Sequence, residues 1–178
     1  IPSLITTASG VLIAGADQRV TISNDSPNEI HFVIRRSLDG GATWLPMQTV
    51  IAYPGKGLNG ASTIDSCLVA DRETGRVTVL IDHFPGGVGF ANAERAMGVD
   101  TEGRFVLHDT NGAQYLLQED GSVTDLEGVA TQYRVDDKGN VTQGDKPRGN
   151  IYLKSGIDPH ESLLTQRTSY LVEGHSDD

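Results

Sequence analysis

The sequence predicts an all-β fold, on three observations. Short runs rich in Val, Ile, Thr and Tyr are divided by turn residues, with 21 Gly and 7 Pro in a chain of 178 residues. Between two such runs lies Ser37-Leu38-Asp39-Gly40-Gly41-Ala42-Thr43-Trp44, a stretch composed as a hairpin turn. Gly40 and Gly41 permit backbone angles that other residues resist, Asp39 can fold its carboxylate onto nearby N–H groups, and Trp44 covers the turn with a large apolar face. Finally, no segment carries a convincing helical period, and the most that can be read is a short turn near residues 91–97. The length suffices for one domain with a real core.

In chain order, Ser3–Thr6 is short and extended, and Ala8-Ser9-Gly10 is a turn. Residues 11–16 form a continuous apolar run suited to a buried strand, and residues 17–29 a polar loop containing Asn24-Asp25-Ser26-Pro27-Asn28. Residues 30–36 are the third strand, the Ser37-to-Trp44 turn follows, and residues 47–52 are the fourth. Four antiparallel strands with short connections are the content of one propeller blade. The cycle then restarts, with strands at residues 64–70 and 76–82 around the turn Asp71-Arg72-Glu73-Thr74-Gly75. A third strand is expected at residues 168–174, running into Ser176-Asp177-Asp178, the first letters of a second S-x-D-x-G-x-T-W.

Between the second and third strands of this second blade, residues 86–166 carry hairpin signals of their own: Asp109-Thr110-Asn111-Gly112, Glu119-Asp120-Gly121 and Asp136-Asp137-Lys138-Gly139-Asn140. That length is too great for a plain loop, so a small β-rich inserted subdomain is expected. The predicted organisation is residues 1–85 as a first blade and half of a second, 86–166 as the insertion, and 167–178 as the resumed second blade. Both ends look cut: Ile1-Pro2-Ser3 enters an apolar run directly, and the chain stops at Asp178.

Strands that alternate direction sort the residues by face. The Ser37-to-Trp44 turn joins strands three and four, whereas the Arg19 and Asp25 loop and the segment from His83 to Phe90 are connections between strands two and three. Those connections should share one face with the region of Asp65, opposite the turn, which leaves the turn a structural role.

A formal charge of −10 argues against binding phosphate backbones, while leaving room for an anionic small substrate held by local Arg residues. No apolar run approaches membrane-spanning length. The single cysteine, Cys67, excludes an internal disulfide framework, and its apolar neighbours suggest an inert packed thiol. The five histidines lack metal-ligand spacing, so no metal and no cofactor are expected. Gly86-Gly87-Val88-Gly89 has no helix pattern after it and is not a dinucleotide fingerprint.

The stretch from Ser37 through Asp39, Gly41, Thr43 and Trp44 resembles the Asp box of sialidase-type β-propellers. Ile1-Pro2-Ser3-Leu4 resembles the tail of the R-I-P motif of sialidases, and Ala14-Gly15-Ala16-Asp17-Gln18-Arg19, Asp25 and Arg35-Arg36-Ser37 continue the match in order. Ile64-Asp65, Ile81-Asp82-His83-Phe84-Pro85 and Gly149-Asn150-Ile151-Tyr152 extend it over nearly the whole chain. The resemblance is to bacterial exo-α-sialidases with an inserted subdomain. It implies part of a six-bladed β-propeller, about one and three-quarter blades.

The resemblance implies an enzyme that releases terminal sialic acid from glycoproteins, glycolipids or oligosaccharides with retention. Such enzymes depart from the usual pair of catalytic carboxylates by using a Tyr nucleophile, which a Glu activates, while an Asp is acid and then base. Asp25 matches that Asp; the Tyr–Glu pair and most of the Arg forks for the sugar carboxylate would lie outside this sequence, leaving the isolated segment inactive. Arg19 matches a pocket arginine on the O4 side, Asp65 a residue on the N-acetyl side, and Phe90 an apolar wall for the acetyl methyl. Without the resemblance Asp25 reads as a turn former, Arg19 as a solvated charge, Asp65 as a strand-end hydrogen-bonder and Phe90 as packing; Arg35 and Arg36 read as structural or solvated. The family implies a secreted or bacterial cell-surface location. Two rivals stay open: a non-catalytic sialoglycan-binding propeller, and an Asp-box propeller of sorting or adhesion. Transfer of the sugar to an acceptor or to its own hydroxyl is not separable from hydrolysis. An Arg immediately before Ile1 and x-G-x-T-W after Asp178 are the sequence expectations.

Overall fold

The computed structural model describes residues 2–153 and 163–176. Their regular structure is all strand apart from one 3-10 turn at Gly57–Asn59. Two seven-stranded sheets are formed.

The first sheet opens with β1 (Ser3–Thr6), β2 (Leu12–Arg19), β3 (Ile30–Ser37) and β4 (Gln48–Ile51), each antiparallel to the one before. It continues through β5 (Ser62–Ala70), β6 (Val77–Phe84) and β14 (Tyr170–Ser176), also mutually antiparallel. The two groups are joined in the ladder by a single parallel pairing, Ile30 with Ser62. β2 runs three residues further than the apolar pattern foretold. Asp17, Gln18 and Arg19 continue the ladder opposite Phe32, His31 and Ile30, because a strand end facing solvent tolerates charged side chains while its backbone stays paired. The loop after β2 therefore spans residues 20–29 rather than 17–29.

The core of this sheet follows strand alternation. Ile13, Phe32, Leu68, Val79 and Ile81 form one buried cluster, and Ile30, Ile64, Phe84 and Val88 a second. The same alternation corrects the expectation for Cys67. Ser66 and Leu68 point inward, so Cys67 points out and is exposed rather than packed.

The second sheet comprises β7 (Val106–His108), β8 (Gln114–Leu117), β9 (Ser122–Thr124), β10 (Ala130–Val135), β11 (Asn140–Gln143), β12 (Lys146–Asn150) and β13 (Leu164–Thr165), in the order β12-β11-β10-β9-β8-β7-β13. Leu107, Val123, Val135, Val141, Ile151 and Leu163 fill its core. Its turns reuse one device. In Asp109-to-Ala113, Asp125-to-Val129 and Asp136-to-Asn140 the Asp carboxylate accepts the N–H groups two and four residues on, and a glycine follows with positive φ.

The two sheets meet at an aromatic joint. Tyr53, in the connection after β4, and His83 of β6 stack with ring centroids 3.9 Å apart, and Tyr152 stands edge-on to them at 4.7 and 5.0 Å. Phe105 meets Tyr170 at 5.2 Å on the other side. The sequence expectation for Asp177 and Asp178, and for Ile1, lies outside the described residues.

Candidate active site

The Asp-box residues form a closed polar turn between β3 and β4. Ser37, buried, accepts from Gly41 N–H at 2.8 Å and donates through Oγ to Asp39 Oδ1 at 2.8 Å. Asp39 Oδ1 accepts from Thr43 N–H at 2.8 Å, and Oδ2 from the Thr43 hydroxyl at 2.6 Å. These hydrogen bonds, those from Thr43 above all, hold the Asp39 carboxyl down to about 2. The Arg35 guanidinium ties the exit of the turn by donating to the Leu45 and Trp44 carbonyls at 2.9 and 3.1 Å. The Ser37, Asp39 and Thr43 side chains are thus engaged within the turn itself.

The opposite end of the same strands is different. Leu12 faces Ser37 across the β2–β3 ladder and Arg19 faces Ile30, so Arg19 is seven residues, or about 23 Å, from the Asp-box end. There Arg19 Nη2 donates to Asp25 Oδ1 in a charge-assisted hydrogen bond, and Arg19 Nη1 reaches the Asp17 carbonyl at 3.5 Å. The Asp25 side chain is 72% exposed, against 31% for Arg19. A carboxylate held from one side by a guanidinium and open on the other can exchange a proton with a bound ligand.

Asp65 joins the same end. It sits in an irregularity of the β5–β6 ladder between Ile64 and Cys67 and takes a left-handed backbone, φ +58°. A non-glycine residue in that region is held there by its surroundings, and here its N–H donates to Asp17 Oδ2 at 3.2 Å. Asp82 on β6 adds a further carboxyl, pushed up first by its own burial and then by the charge of Asp65.

Phe90 stands at this end on a turn, 95% exposed, so its ring does not serve the core. Its neighbour Gly89 abuts the Asp25 loop: a Cβ on Gly89 would meet the Ser26 carbonyl oxygen at 2.2 Å. The structure thus gathers Arg19, Asp25, Asp65 and the Phe90 turn and separates them from Ser37, Asp39, Gly41, Thr43 and Trp44.

Three contributors are not singled out by the sequence. Asp17 enters there only within a motif, yet alternation from Arg19 places it on the same face of β2. Asp82 likewise stands only within a motif. Asn28, fully buried, donates its two amide hydrogens to the Ile22 and Asn24 carbonyls at 2.9 and 2.8 Å, which gathers the Asp25 loop around it. An Asn just past a Pro in a polar loop was the available signal for such a staple. Among the described residues no group of three or more His, Cys, Asp or Glu side chains is placed to hold a metal ion, and no helix is long and apolar enough to cross a membrane.

No family model matches this chain. Anhydrosialidase of the leech Macrobdella decora is 32% identical over the whole of this chain, which covers 29% of that protein. A sialidase of Micromonospora viridifaciens is 33% identical over 94% of this chain and 24% of its own length. The chain therefore spans less than a third of the curated relatives it matches. Among solved structures, an intramolecular trans-sialidase of Ruminococcus gnavus superposes with a TM-score of 0.83 at 27% identity, covering all of this chain and 45% of that one. A leech intramolecular trans-sialidase complexed with 2,7-anhydro-Neu5Ac gives 0.85 at 26%, covering all of this chain and 33% of that one.

Proposed function

We propose that this chain, a homologue of sialidases, forms the N-terminal part of the catalytic domain of an exo-α-sialidase, a retaining glycoside hydrolase that releases terminal sialic acid from sialylated glycans. The observation that carries the reading is the Arg19–Asp25 pair, exposed at the strand ends opposite the Asp box. In this reading the first sheet supplies the first blade and most of the second blade of a six-bladed propeller. The second sheet is the unit inserted into that second blade. A secreted or cell-surface location accompanies it.

Asp25 acts as general acid on the glycosidic oxygen and afterwards as general base on water. Arg19 orients the carboxyl and reaches toward the sugar. Asp65 accepts hydrogen bonds on the N-acetyl side, and the exposed Phe90 ring offers an apolar surface to the acetyl methyl. The Tyr nucleophile, its Glu and the remaining Arg forks come from residues beyond this sequence. The test is to treat 3′-sialyllactose with the full-length polypeptide and follow the first product by proton NMR. Free sialic acid appearing first as the α anomer supports retaining hydrolysis; no release of sialic acid in any form sinks the reading.

A second outcome is favoured by the names of the relatives, anhydrosialidase and intramolecular trans-sialidase. There the sugar's own hydroxyl replaces water, with Asp25 as its base, and the product is 2,7-anhydro-Neu5Ac. The same spectrum separates the two, since the anhydro sugar does not mutarotate.

A further inference from the structure

A chain of hydrogen bonds, buried at His83 and Ser62 and part-buried where Asn28 meets the loop, runs from the aromatic joint to the Asp25 loop. His83 Nδ1 meets the Ser62 carbonyl oxygen at 3.1 Å, and the Ser62 hydroxyl donates to the Asn28 carbonyl at 2.5 Å. Asn28 Nδ2 then donates to the carbonyls of Ile22 and Asn24, the residues on the near side of Asp25. His83, Ser62 and Asn28 are all buried to 1% exposure or less. The far ends of the relay are anchored by packing: the His83 ring is stacked on Tyr53 and edged by Tyr152, and the loop is closed on its other side by Gly89 against Ser26.

The arrangement accounts for a problem that the loop poses. Residues 20–29 carry no strand or helix of their own, and Asp25 is largely exposed with Arg19 as its side-chain partner. A group that must deliver a proton within hydrogen-bond reach of a glycosidic oxygen needs its backbone fixed more tightly than that. Burial makes the Asn28 bonds stiffer than the same bonds would be in water. Deleting the side chain would strand two carbonyls and leave the loop free to spread.

We propose that Asn28 is a positioning residue for the acid/base step, clamping the Asp25 loop through a buried relay that runs by way of Ser62 to His83 at the joint between the two sheets. The inference rests on the reading of Asp25 as acid/base and adds to it a residue that touches no substrate. It follows that the second sheet, whose Tyr152 seats His83, is mechanically tied to the loop that bears the acid.

The test uses the full-length polypeptide carrying Asn28→Ala or Ser62→Ala, assayed on 3′-sialyllactose and on an aryl sialoside whose leaving group departs without a proton. The expected result is a kcat loss of roughly tenfold on sialyllactose for Asn28→Ala, smaller for Ser62→Ala, with KM little changed and aryl sialoside cleavage nearly preserved. Combined with Asp25→Ala, Asn28→Ala should cost nothing further. Equal losses on both substrates, or a loss that adds to that of Asp25→Ala, would overturn the proposal. Amide hydrogen exchange gives a readout independent of activity: residues 22–26 should exchange faster in both variants, and unchanged exchange there also overturns it. If Asn28→Ala does not fold, Ser62→Ala, which removes one bond, decides alone. Should the wild type cleave neither sialoside, the sialidase reading fails and the exchange rates still judge the clamp.

Discussion

Gly89 presses its backbone against Ser26, closely enough that a Cβ on Gly89 would stand 2.2 Å from the Ser26 carbonyl oxygen and 2.5 Å from Pro27 N. The segment leaving β6 and the loop carrying Asp25 are thereby braced against each other, backbone to backbone. Gly89→Ala cannot be absorbed by a rotamer change, because the obstructing atoms are main chain. It is expected to cost about 1–3 kcal/mol of stability and to lower sialoside cleavage by displacing the loop. Urea unfolding together with kcat/KM checks both, and a variant indistinguishable from wild type in each contradicts the close contact.

Phe90, one residue on, should behave oppositely. Its ring is 95% exposed, so Phe90→Ala is expected to leave the melting temperature within about a degree of wild type. KM for an N-acetylated sialoside should rise severalfold, with a smaller effect on an analogue that carries hydroxyl in place of the acetamide. Equal KM changes on the two would assign the ring no part in reading the acetyl group.

His83 makes stability depend on pH. Burial depresses its ring to about 3 from an ordinary 6.5, and the hydrogen bond to Ser62 offsets this only in part. The folded state holds the ring neutral while the unfolded chain takes up a proton near 6.5. The contribution is thus complete above pH 6.5 and is lost as pH falls from there toward 3. Over that window wild type should lose about 1.4 kcal/mol per pH unit more than His83→Phe. Parallel stability curves for the two between pH 6 and 4 would show that the ring is not buried as neutral imidazole.

At the other end, Asp39 has a carboxyl held at about 2 by Thr43 and Ser37. Its folded value lies below the unfolded one, so its contribution is present above pH 4 and fades as pH drops through 2. Asp39→Ala should unfold at lower urea than wild type at pH 7, the gap narrowing near pH 2, with substrate affinity per folded molecule unchanged. A changed KM would place the Asp box nearer the chemistry than the alternation of β2 and β3 allows.

The way these residues became legible differs. The turn at Ser37-to-Trp44 is readable because the hydrogen bonds among Ser37, Asp39, Gly41 and Thr43 close within seven residues. The strands around it are readable because alternation is local too. Asp25 and Arg19 could be singled out through the resemblance, since an Asp before Ser-Pro is an ordinary turn former. What stayed hidden depends on distant partners. Asp65 acquires its left-handed backbone in an irregular ladder, with an N–H directed at Asp17, 48 positions earlier. The Asn28 staple bonds locally, within six residues, but the Ser62 hydroxyl that holds the Asn28 main chain comes from 34 positions away. Two of the turns around the second sheet, at Asp100-to-Arg104 and Asp125-to-Val129, were missed although both carry D-x-x-G-x, the same device as their neighbours. Cys67 was misread because its neighbours are apolar, when the parity of the strand decided its face.

The role of Asp25 shows most directly in the leaving-group dependence of Asp25→Ala in the full-length polypeptide. General acid catalysis of this kind contributes roughly 10²–10⁴-fold. If Asp25 is the acid/base, kcat/KM on 3′-sialyllactose should fall by at least about a hundredfold, with a much smaller loss on an aryl sialoside that needs no proton to depart. Cleavage of sialyllactose by Asp25→Ala at close to the wild-type rate would contradict that role.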